Sequence, residues 1–97
     1  MTGRPSREAV AQWNDAYAEQ TSALFAAMRS ASDDSAAVRR LAHAYHAVAL
    51  AWRILSADLA TPLWARHASA VAAEEFDRRA RMEMARADPA QRPGETT

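Results

Sequence analysis

Between residues 38 and 59 the large apolar side chains recur in alternating steps of three and four: Val38, Leu41, Tyr45, Val48, Trp52, Leu55 and Leu59. A strand would alternate every second residue, so this spacing describes one stripe of an α-helix. Sustained over heptads, it also demands a helical partner, because side chains at these positions fill holes made by a facing helix. The same stretch carries a second apolar set. Leu50 and Ile54 fall on the opposite side of the helical wheel, flanked by Ala47 and Ala57, and from Ala47 to Ala60 only Arg53, Ser56 and Asp58 are polar. A helix that is apolar nearly all round is covered on more than one side.

Two further helices flank this one. The first is predicted over about 7–30, with Ser6 as N-cap and Glu8 in its first turn. Its large apolar residues, Val10, Trp13, Tyr17, Leu24, Phe25 and Met28, form one stripe about 120° wide, with Asn14 and Thr21 inside it and Glu8, Asp15, Glu19 and Ala26 opposite. The segment Ser30–Ser35 breaks the pattern, and Asp33, Asp34 or Ser35 can cap the second helix, predicted over about 36–60. Thr61-Pro62 marks the next start, with Thr as cap and Pro at the first helical position. A tight corner there is favoured over a kink in one long helix. The third helix is predicted over about 62–87, with Trp64, Ala68, Val71, Ala72, Phe76, Ala80 and Met82 on a broad apolar face. Glu74–Arg78, Asp77–Arg81 and Glu75–Arg79 stand at ion-pairing intervals. Residues 1–6 and 89–97 are polar and read as disordered ends.

Three helices of similar length joined by short loops predict an all-α, antiparallel three-helix bundle within one domain, residues 7–88. The core is thin. Of 97 residues 26 are Ala, which favours helix strongly but buries little area. Small domains of this kind gain stability by oligomerising, and the surplus surface at Ala47, Leu50, Ile54 and Ala57 is the expected homodimer contact.

Composition excludes several classes of function. There is no Cys, hence no disulfide and no thiolate metal site. All twelve basic residues are Arg, balanced by twelve acids, and each third of the chain is neutral. Nucleic-acid and anionic-membrane binders carry a basic excess that is missing here. No apolar run approaches the roughly 20 residues of a membrane span, and the first residues lack the apolar core of a secretory signal, so a cytoplasmic protein is expected.

Few residues suggest chemistry. His43 and His46 share a helical face, with His67 as a third imidazole, but bundle metal sites draw Glu and His from several helices. No Glu-x-x-His occurs and the second helix has no Glu, so these are weak metal candidates and no cofactor is implied. The arginines of the third helix read as a salt-bridged face, not a phosphate strip. Trp13, Trp52 and Trp64 fall one per helix and read as core anchors. In a second reading they line a pocket with Tyr17 and Tyr45. The expected function is a small non-catalytic interaction module, adaptor or regulatory, that forms a homodimer and contacts other proteins. The alternative is a small-molecule- or metal-binding bundle, with or without catalysis, using His43, His46, His67 and the Trp/Tyr set.

Overall fold

The structure, a computed structural model, describes residues 6–31, 34–58 and 60–88. Leu59 of the heptad stripe, Asp33 of the capping turn and the two ends, 1–5 and 89–97, lie outside them. The chain forms three α-helices: α1 (Arg7–Arg29), α2 (Ser35–Ala57) and α3 (Leu63–Ala87). The helix α2 packs against both others, whereas among the described residues the backbones of α1 and α3 do not come within contact of each other.

Local chemistry sets the helix ends. Ser6 Oγ accepts from the Ala9 N–H at 3.1 Å, and Asp34 Oδ1 accepts from the Ala37 N–H at 3.1 Å, each filling an orphan donor of a first turn. The second helix ends at Ala57 rather than Ala60. Asp58 diverts the chain: its Oδ1 accepts the Ala60 N–H at 2.9 Å, the side-chain-to-backbone bond of an Asx turn, and its Oδ2 accepts the Ser6 N–H at 3.2 Å. Thr61 is not the cap of α3, and Pro62 is not its first helical residue. Pro62 itself occupies the cap position with extended backbone, φ −56° and ψ 148°. Its carbonyl receives the N–H groups of Ala65 and Arg66, both at 3.0 Å, and the buried Thr61 hydroxyl has no partner. The chain therefore turns a corner between α2 and α3.

The heptad stripe of α2 is its contact face. Val38, Leu41, Tyr45 and Val48 are buried, and Trp52 and Leu55 half-buried. What they pack against matches the expected apolar stripes at Trp13, Tyr17, Leu24, Phe76 and Ala80 and differs from them elsewhere. On α1 the covered line is Ala9, Trp13, Ala16, Gln20, Ala23 and Ala27, while Val10, Phe25 and Met28 are exposed. On α3 it is Ser69, Ala73, Phe76, Ala80, Glu83 and Ala87, while Trp64, Ala68, Val71 and Met82 are exposed. Both lines keep heptad spacing. The physical reason is complementarity of size: a ridge of large side chains on α2 needs shallow, Ala-rich surfaces opposite it, and small residues let helix axes approach closely. The best-covered core joins Ala23 of α1 to Leu41, Ala44 and Tyr45 of α2, with Leu24, Ala27, Phe76 and Ala80 against it. Ser69 tolerates burial because its hydroxyl bonds the Ala65 carbonyl at 2.8 Å.

Contacts between α1 and α2 follow one order, and those between α2 and α3 gather around Phe76 and Asp77. Ser6 meets Asp58, Trp13 meets Trp52 and Glu19 meets Arg40, while Tyr45 meets Phe76 and Arg53 meets Asp77.

Candidate interaction surfaces

The outer face of α2 carries Ala47, Leu50, Ile54 and Ala57, preceded by His43, again at steps of four and three. The neighbouring Val48, Ala49 and Ala51 are buried, so the helix is covered on its seam side and open here. Leu50 is 45% exposed and Ile54 42%. On either side of α2 Arg40 and Arg53 are already compensated, while Arg39 is exposed and has no ion pair among the described residues. Arg40 donates to both carboxylate oxygens of Glu19, at 3.0 and 3.2 Å, which holds that carboxyl below its usual range. Arg53 pairs with Asp77, whose other oxygen lies 3.3 Å from His46 Nδ1.

Asp77 is the hub of the α2–α3 contact, and spacing alone misplaced it. The expected Asp77–Arg81 pair does not form, because Asp77 turns toward α2 and its side chain is only 18% exposed. Burial pushes its carboxyl up, but hydrogen bonds from Arg53 and His46 outweigh that, and the net direction is down. The Glu74–Arg78 pair is likewise absent. Arg78 bonds Glu75 instead, at 2.7 and 3.0 Å, and Arg79 joins at 2.9 Å. These two guanidiniums lower the Glu75 carboxyl to about 2.

The aromatic residues divide into two groups. Trp13, Tyr17 and Trp52 are in mutual contact, with ring centroids 4.4 to 6.4 Å apart. Phe76 extends the cluster, touching Tyr17 at 5.6 Å and Tyr45 at 6.0 Å, with Arg79 over its face at 5.2 Å. Phe76 joins this set beyond the Trp and Tyr residues expected to line it, from its place on the heptad line of α3. Trp64 is not a core anchor. It is 76% exposed on the first turn of α3, beside the exposed Leu63. The Trp13 and Trp52 indole N–H groups are buried without an acceptor.

His43 and His46 line one shallow groove together with Ala42, Ala80, Arg81 and Met84, whereas His67 is exposed on α3. Among the described residues no three His, Asp or Glu side chains gather as a metal site, and no helix is long and apolar enough to cross a membrane. Compared with protein-family models, curated proteins and solved structures, the chain matches none.

Proposed function

We propose that this chain is a small non-catalytic interaction module, an antiparallel three-helix bundle that pairs with a second copy through the outer face of α2. The antiparallel arrangement is supported by the contact order: rising residue numbers on α1 meet falling numbers on α2, and on α3 Asp77 meets Arg53 while the later Ala80, Arg81 and Met84 share a groove with the earlier Ala42, His43 and His46. The observation that carries the self-pairing is the half-exposure of Leu50 and Ile54 on a line with heptad spacing, the spacing at which one helix receives another. A second copy suits this face. Arg40 and Arg53 beside it are neutralised within the chain, which limits like-charge repulsion between identical surfaces to Arg39 near the start of α2. An adaptor or regulatory role acts through this same surface.

Size-exclusion chromatography with light scattering tests the reading. The expected mass at micromolar concentration is that of a dimer, falling to a monomer in Ile54→Arg with helical circular dichroism unchanged. A monomer across the whole concentration range, insensitive to Ile54→Arg, overturns it.

A further inference from the structure

We propose that the groove between α2 and α3 lined by Ala42, His43, His46, Ala80, Arg81 and Met84 binds a small apolar carboxylate, such as a short fatty acid. Its volume is about 280 Å³, near the lower edge of the roughly 300–1,000 Å³ that small-molecule sites span. The walls divide by chemistry. Ala42, Ala80 and Met84 are apolar, and the polar residues of the lining are His43, His46 and Arg81. No acid lines the groove.

The charge arises from how α3 seats on α2. Asp77, one turn before Arg81, commits one oxygen to Arg53 and directs the other at His46 Nδ1. Arg81 is thereby left without an ion pair among the described residues, while Arg78 and Arg79 on the same helix each have one. An exposed arginine without an ion pair, in the lining of a mostly apolar groove, fits a ligand with an anionic head and an apolar tail. The fork takes the carboxylate bidentately, and the tail covers Met84 and the two alanines. His43, which has no partner among the described residues, adds an imidazole N–H as a second donor. A metal cation suits the groove poorly, since it would meet the Arg81 charge with no carboxylate lining the site.

Titration of the full chain with octanoate tests this, followed by calorimetry and by NMR of the Met84 methyl and the imidazole rings, with octan-1-ol and acetate as parallel arms. The expected result is saturable octanoate binding that shifts Met84, His43 and His46. Octanol and acetate each bind at least about ten-fold more weakly, and Arg81→Gln loses a similar factor. Ile54→Arg binds octanoate as the unsubstituted chain does, which separates this site from self-association. No saturation at millimolar octanoate, equal binding of octanol, or shifts confined to Trp13 and Trp52 would overturn the proposal. So would unchanged affinity in a folded Arg81→Gln, and the octanol arm decides alone if that variant does not fold.

Discussion

Asp77 on α3 pairs across the helix interface with Arg53 on α2, and not with Arg81 one turn along its own helix. Because His46 shares the same carboxylate, one side chain ties two positions of α2 to α3. Removing it by Asp77→Ala leaves Arg53 and His46 partly exposed but unpaired, at a cost of about 1 kcal/mol. For a domain of this size that corresponds to a fall of about 4–8 °C in Tm, read by thermal denaturation.

Acid should weaken the fold through the same helix. The carboxyls of Glu75 and Asp77 both sit below their ordinary values of 4.5 and 3.8, Glu75 at about 2. Groups depressed in the folded state stabilise it fully above the unfolded value and cease to do so as pH falls through the folded one. The urea midpoint is therefore expected to be insensitive to these two groups above about pH 5, and to drop between about pH 4.5 and 2. Glu75→Gln should shrink that drop. Since Glu75 is at the surface, its share should be small and should fade in high salt, where the Asp77 share persists better.

The small-residue contacts predict intolerance to added volume. Ala49 is fully buried. Ala49→Leu forces helix α2 away from its neighbour and should cost about 1–3 kcal/mol. The same change at the exposed Ala70 should stay within about 0.5 kcal/mol. Paired denaturant titrations compare the two.

The tryptophans should separate spectroscopically. Trp64→Phe is expected to remove the red-edge, quencher-accessible part of the fluorescence and leave stability nearly unchanged, because the ring stands in solvent. Trp52→Ala breaks contacts with Trp13 and Tyr17 and should cost about 3 kcal/mol. Acrylamide quenching and melting curves distinguish them.

Helix existence, the cap at Ser6, a cap among Asp33, Asp34 and Ser35, and the contact stripe of α2 were legible because each rests on local chemistry or on large side chains at fixed spacing. The contact faces of α1 and α3 were legible only in part: Trp13, Tyr17, Leu24, Phe76 and Ala80 are covered as their spacing predicts. Periodicity arguments weight Trp, Phe and Met heavily, so they singled out Trp64, Phe25, Met28, Val71 and Met82, which stand exposed. The covered lines run through Ala9, Ala16, Ala23 and Ala27, and through Ala73, Ala80 and Ala87, whose methyls carry little hydrophobic signal. Their heptad spacing was the available clue. The ion-pair network was misread for a related reason: i, i+4 spacing favours Asp77–Arg81, but Asp77 faces α2, where Arg53 reaches it.

A surface paved with near-identical methyl groups has no landmarks along its length. Slid by one heptad, α1 would present much the same profile to α2, so alanine sets how near the helices come but not where they stop. That task falls to the few bulky exceptions on these lines, Trp13 meeting Trp52 and Phe76 wedged beside Tyr45 and Tyr17. These rings act as detents in an otherwise smooth track, so trimming them would loosen alignment before it loosened attachment.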